Sequence, residues 1–267
     1  MNAATSADGT TIAFERSGEG PPLLLVHGTG RDRGHWEQVV PALARNATVY
    51  AIDRRGRGGS SDAASYAIER EVEDLLAVLD VIGEPAHLLG HSYGAIIALE
   101  AAMATDRLTG LILYEPPFSV GADRVPPGLG EQLDAILVTG DLEAVLVTFL
   151  QQGPRYTSEQ IAARRAQPDW PDRLTIAPTL PREVQVVEDY VFDRARIALM
   201  RWPTLLLLGS DSPLFFQQTT EALHETLPAS ELIVFQGHHH NAMETAPAQF
   251  VAAVERWVDR HRRHLGS

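Results

Sequence analysis

Gly90-His91-Ser92-Tyr93-Gly94 sets one hydroxyl between two glycines, directly after the apolar run Ala86 to Leu89 and ahead of an alanine-rich stretch. A chain that reverses sharply from strand to helix holds such a serine up at the tip of the turn, provided the positions two residues either side carry no side chain to collide. Ser92 is therefore read as a nucleophile on an elbow. A serine hydroxyl attacks a carbonyl only when a base takes its proton and a third group orients that base. The attack also builds charge on the carbonyl oxygen, which backbone N–H groups aimed at one point can stabilise. His27-Gly28-Thr29-Gly30, immediately after the apolar run Leu23 to Val26, supplies a loop suited to that task. The amides of Thr29 and Tyr93 are the expected oxyanion donors.

Two carboxylates stand at the ends of apolar runs. Asp211, within Gly209-Ser210-Asp211-Ser212-Pro213, follows Leu205 to Leu208 and is the expected acid; Glu115, which follows Leu111 to Tyr114, is the alternative. The base falls in the loop Gly237-His238-His239-His240-Asn241, and only one of its three imidazoles can serve. Alternate side chains of a histidine run share a face, which would also suit a metal, yet no complementary cluster of acidic ligands accompanies them. No metal is expected.

These loops need a scaffold. Short apolar runs recur at Leu23 to Val26, Val49 to Ile52, Leu88 to Leu89, Leu111 to Tyr114, Leu205 to Leu208 and Leu232 to Phe235. They read as strands buried on both faces, as in a parallel sheet. Helical patterns alternate with them at residues 35–43, 68–82, 93–104, 214–227 and 247–264, and Thr10 to Glu15 suits an extra edge strand. The alternation breaks between Glu115 and Met200, where a proline-marked entry leads into helical patches at 131–151, 158–167 and 183–199. The expected organisation is a core of residues 1–115 and 200–267 carrying a helical cap, 116–199, over the carboxyl ends of the strands, where open α/β sheets bind ligands. Pro116, Pro117, Phe118, Phe149, Tyr156, Trp170 and Phe192 are its candidate wall residues.

Taken together, Gly90 to Gly94, His27-Gly28, the loop Asp53-Arg54-Arg55-Gly56-Arg57-Gly58 and the C-terminal histidines resemble the α/β-hydrolase superfamily over nearly the whole chain except the cap. The resemblance implies an α/β-hydrolase fold, a mostly parallel central sheet flanked by helices with an inserted helical cap. It implies the chain order nucleophile, acid, histidine, and a catalytic histidine seven residues before the proline that starts the last helix. Pro247 then selects His240, with His239 second. It implies no cofactor. Serine rather than aspartate at position 92 argues against dehalogenase and epoxide hydrolase chemistry, and Tyr93 and Thr29 differ from the residues usual in the perhydrolase and haloperoxidase branch. A carboxylesterase acting on small to medium esters is the leading expectation, with a lactonase or other specialised acyl hydrolase, a perhydrolase-like enzyme and a hydrolase-like ligand receptor as alternatives.

The composition sets outer bounds. The 267 residues carry 35 acidic and 22 basic side chains, a net charge of −13, whose average field repels nucleic acid and anionic membranes. The expected partner is a small-molecule ester. There is no cysteine, which removes disulfides and thiol chemistry. The polar start, Met1 to Thr11, does not resemble a signal peptide, and no apolar run approaches the ~20 residues of a membrane span, so a cytoplasmic location is expected. His91 is expected to point away from the site, His35 and Trp36 to pack, and the arginines after Asp53 to serve the scaffold rather than a phosphate.

Overall fold

The computed structural model describes residues 1–121 and 125–262. Eight strands form one sheet: β1 (Asn2–Thr5), β2 (Thr11–Ser17), β3 (Pro22–Val26), β4 (Thr48–Ile52), β5 (Ala86–His91), β6 (Leu108–Tyr114), β7 (Thr204–Gly209) and β8 (Ser230–Phe235), in the order β1-β2-β4-β3-β5-β6-β7-β8. β1 and β2 pair antiparallel, and β2 pairs antiparallel with β4. Every other pairing is parallel. β3, β4, β5 and β7 are buried along their full length, which is why they read as unbroken apolar runs rather than alternating ones. β1 was not anticipated; Asn2-Ala3-Ala4-Thr5 has no apolar alternation, and it is held by its ladder to β2.

Helices cover both faces. α1 (Val40–Leu43) and α12 (Pro247–Arg260) close one apolar core around Trp36, Phe250 and Trp257. α2 (Ile68–Ile82), α3 (Tyr93–Ala104) and α10 (Leu214–Thr226) cover the other, and α11 (Ala242–Thr245) is a single turn after the histidine loop. α3 is apolar nearly all round and sits in the centre of its layer, as such a helix must. The predicted helix over 35–43 is instead a 3₁₀ turn, Arg33–Trp36, followed by α1, because Pro41 restarts the helix. The last two positions of the predicted 247–264 helix lie outside the described residues.

Between β6 and β7 the chain forms α4 (Leu129–Leu137), α5 (Leu142–Gln152), α6 (Ser158–Arg165), α7 (Trp170–Ile176), α8 (Leu180–Asp189) and α9 (Arg194–Ile197). The single helix expected over 131–151 is broken at Gly140, which takes φ 82°, and Asp141 caps the next helix through the amide of Ala144. The expected helix over 183–199 likewise divides, α8 starting earlier at Leu180, and α9 being a separate short turn. No helix among the described residues is long and apolar enough to cross a membrane.

Candidate active site

Ser92 lies between β5 and α3 with φ 55° and ψ −125°. Only two other non-glycine residues among those described have positive φ, and one of them is Glu115, at 47° and next to the end of β6. Strain of this kind costs on the order of 1–3 kcal/mol and persists where the surroundings over-determine it. Here the turn is enforced by contact: a Cβ on Gly90 would lie 2.3 Å from the carbonyl oxygen of Gly94, and one on Gly94 would lie 2.4 Å from that of Val26. The Ser92 amide donates to the Tyr114 carbonyl at 2.8 Å, tying the elbow to the neighbouring strand end.

The His27–Gly30 loop arrives from the next strand, so close that a Cβ on Gly28 would stand 2.8 Å from the Ser92 Cβ. Thr29, Ser92 and His240 line one cavity. Tyr93 is the first residue of α3, so its amide has no acceptor within the helix. Of the three adjacent histidines, His240 is buried and His239 is exposed. The His240 ring stacks on Phe216 with centroids 4.2 Å apart.

The acid is where sequence and structure part. Glu115, fully buried, accepts a hydrogen bond from His240 Nδ1 at 2.6 Å through Oε2. Its Oε1 accepts from the Gly209 amide at 2.6 Å and from Ser212 Oγ at 2.7 Å. Asp211 is exposed; its Oδ1 accepts from Ser210 Oγ at 2.8 Å and makes no bond to a histidine side chain. The loop after β7 turns Ser212 inward and Asp211 outward, and the longer glutamate side chain from β6 fills the space beside the imidazole. The carboxylate that partners His240 is thus Glu115 and not the expected Asp211. A carboxylate only accepts, so Nδ1 carries the proton and Nε2 is left as the acceptor a base requires.

Several residues that sequence reasoning assigned elsewhere hold this arrangement. His91 does not point away: it lines the same cavity, its ring lies 4.4 Å from that of His240, and its Nε2 donates to the His240 carbonyl at 2.8 Å. Burial and the neighbouring His240 and His35 keep its pKa well below the ordinary histidine range, so it is neutral. Its Nδ1 is then an acceptor, facing His35 Nε2 at 3.2 Å. Tyr114 Oη donates to the His239 carbonyl at 2.7 Å and accepts from the Ala242 amide at 3.0 Å, clamping the loop on both sides of His240. Neither Ser212 nor Tyr114 was marked in the sequence, since an isolated serine or tyrosine beside a strand end carries no pattern.

The arginines after β4 serve the scaffold, as expected. Arg54 pairs with Glu71 and, at 3.2 Å, with Glu183; Arg57 pairs with Glu183 and donates to Thr179 Oγ1 at 2.8 Å. Glu183 belongs to α8 and is fully buried. Burial opposes its charge, but Arg54 and Arg57 outweigh that and hold its pKa below the usual carboxylate range.

The cavity is small, about 50 Å³, and much of its apolar wall comes from the helices between β6 and β7 and from α10. Of the seven predicted wall residues, Pro117, Phe149 and Tyr156 line it. Phe118 and Phe192 instead stack on one another, with centroids 4.9 Å apart. Among the described residues no group of three or more histidine, aspartate or glutamate side chains is placed to hold a metal ion.

A mostly parallel eight-stranded sheet, helices on both faces and a strained serine elbow at the carboxyl ends of its central strands define a protein of the α/β-hydrolase fold. The chain matches the Alpha/beta hydrolase family over residues 23–254, and it belongs to that family. It is similar to the crystal structure of an α/β hydrolase from Sphaerobacter thermophilus, with TM-score 0.87 and 36% identity over 95% of this chain and 98% of that one. Esterase RhEst1 from Rhodococcus sp. is similar at TM-score 0.79 and 25% identity, over 99% of each chain. Among curated relatives, the pimeloyl-[acyl-carrier protein] methyl ester esterase of Aeromonas hydrophila is 28% identical over 93% of this chain and 99% of that one.

Proposed function

We propose that this hydrolase cleaves small to medium carboxylic esters through an acyl-enzyme, with Ser92 as nucleophile, His240 as base and Glu115 as the acid that orients it. The observation that carries the reading is His240 buried in the cavity of Ser92 and fixed through Nδ1 by Glu115, which leaves Nε2 to accept a proton. In the first half-reaction Nε2 takes the Ser92 proton as Oγ bonds to the acyl carbon. The oxyanion is received by the amides of Thr29 and Tyr93, and the alcohol leaves with the proton from His240. In the second half-reaction water gives its proton to His240 as it attacks the acyl carbon, and His240 returns that proton to Ser92 Oγ as the acid is released. Residues 116–199 act as the cap that narrows the cavity and sets acyl size, and their apolar residues Phe149, Leu150, Val184 and Val187 on its wall support that role. The esterase names of the relatives support ester over other acyl bonds.

Initial rates on nitrophenyl esters from acetyl to dodecanoyl, with wild type and Ser92→Ala, test this. The expected result is hydrolysis peaking at short or medium chains and lost by at least about 10³-fold in the variant. Retention of most activity in Ser92→Ala overturns the mechanism.

A further inference from the structure

Apart from Thr29, His91, Ser92 and His240, the polar lining of the cavity beside Ser92 is Arg31 from the loop after β3, Arg173 from α7, Tyr156 and Asn241. The same two arginines also line a second, polar cleft. Their charges are balanced unequally. Glu244 pairs with Arg31 at 2.8 Å and also with Arg164. Among the described residues Arg173 has no such partner: it is 5% exposed, and its Nε and Nη1 make no hydrogen bond. Its guanidinium lies 5.9 Å from the Trp170 ring. Asp169 and Asp172 lie exposed on the second cleft, and neither pairs with it. Burial, and then the like charges of Arg31 and Arg164, push the pKa of Arg173 down to about 9, so it remains a cation at neutral pH. The carboxylates of Asp32, Glu37, Asp169 and Asp172 lie on the second cleft, whereas toward the Ser92 cavity the lining presents Arg31 and Arg173 and, among the described residues, no carboxylate.

A buried cation whose donors lack partners is costly unless something pairs with it. A guanidinium is a planar fork that matches a carboxylate in two parallel hydrogen bonds, and it is strongest where water is excluded. On the esterase reading of Ser92, we infer that Arg173 is a specificity-determining residue that receives a free carboxylate on the substrate. The preferred substrate class is then the half-ester of a dicarboxylic acid, its apolar middle against Phe149, Leu150, Val184 and Val187. Hydrolysis of such a half-ester takes up one water and releases the dicarboxylate, the alcohol and a proton.

The test compares monomethyl esters of succinate, glutarate and adipate with neutral isosteres in which an isopropyl group replaces the carboxylate, by titrating acid release at constant pH. In wild type the best half-ester exceeds its isostere in kcat/KM by about 10- to 100-fold, the range for a charge-assisted hydrogen bond. Arg173→Met collapses that ratio toward one and Arg173→Lys restores part of it. The methionine variant keeps or raises the melting temperature, which a purely structural arginine would not do. Ser92-dependent hydrolysis with no preference for half-esters, or a ratio untouched by Arg173→Met, overturns the inference and leaves the esterase reading standing. If no ester is hydrolysed in a Ser92-dependent way, the esterase reading fails, and calorimetric titration of Ser92→Ala with monomethyl glutarate decides the role of Arg173. Saturable binding that is lost with Arg173→Met sustains that role, and no binding overturns it.

Discussion

Replacing Glu115 by glutamine changes one atom of the carboxyl group, yet the surroundings dictate where the new NH₂ goes. The Gly209 amide and the Ser212 hydroxyl both donate to Oε1, at 2.6 and 2.7 Å, so the remaining oxygen is retained on that side. The NH₂ therefore faces His240 Nδ1, which the carboxylate Oε2 contacts at 2.6 Å in the wild type. An NH₂ only donates, so Nδ1 must become the acceptor and the imidazole proton moves to Nε2. In that tautomer Nε2 cannot take the Ser92 proton. A wrong-tautomer base costs about 10³- to 10⁴-fold in kcat in a serine triad, or about 4–5 kcal/mol of transition-state stabilisation. KM should move little, because the acid makes no contact with substrate. Stopped assays on a nitrophenyl ester, with melting curves to verify the fold, measure the effect, and Asp211→Asn should retain most activity. The reasoning fails if Glu115→Gln keeps more than about a tenth of wild-type kcat, or if the Asp211 change is as damaging.

Glu183→Gln should lower stability by about 3–5 kcal/mol, since it strips the shared counterion from the buried Arg54 and Arg57; chemical denaturation measures it, and a loss below about 1 kcal/mol would contradict the pairing. His87 on β5 is 1% exposed with both ring nitrogens unpaired, and burial, then His261 and Arg262, lower its pKa from 6.5 to about 4. The unfolded chain thus binds a proton that the fold refuses, so stability drops as pH falls from 6.5 toward 4, by about 3 kcal/mol from this residue. His87→Leu should raise the melting temperature at neutral pH and flatten that acid limb, and an unchanged pH profile would refute the assignment.

Much of the architecture was legible because burial on both faces of a parallel sheet leaves a direct mark. Leu23 to Val26 and Leu205 to Leu208 can be read as strands for the same reason that they are inaccessible. The elbow was legible because the close backbone approach at Gly90 and Gly94 admits no side chain. The region between β6 and β7 was less so: its helices are short, and their ends are set by local turns such as Thr139-Gly140-Asp141 rather than by a long amphipathic period.

The carboxylate partner of His240 was not legible as a unique choice because strand ends advertise position but not direction. Asp211 and Glu115 both stand just past a strand, in the required chain order, and only the backbone path separates them. At Glu115 a φ of 47° redirects the chain, and the side chain ends within reach of β7, the loop after it and the histidine loop at once. After β7, the Asp211 amide donates to the His238 carbonyl at 3.0 Å, which spends the loop's inward contact on backbone and leaves the Asp211 carboxylate outside. The roles of His91 and Tyr114 are hidden in the same way, since both act on the carbonyls and amide of the 239–242 loop, groups that every residue has. A site whose nucleophile is specified by side-chain exclusion can be found in sequence. Its orienting shell, built from backbone contacts between strands distant in the chain, emerges only when those strands are packed.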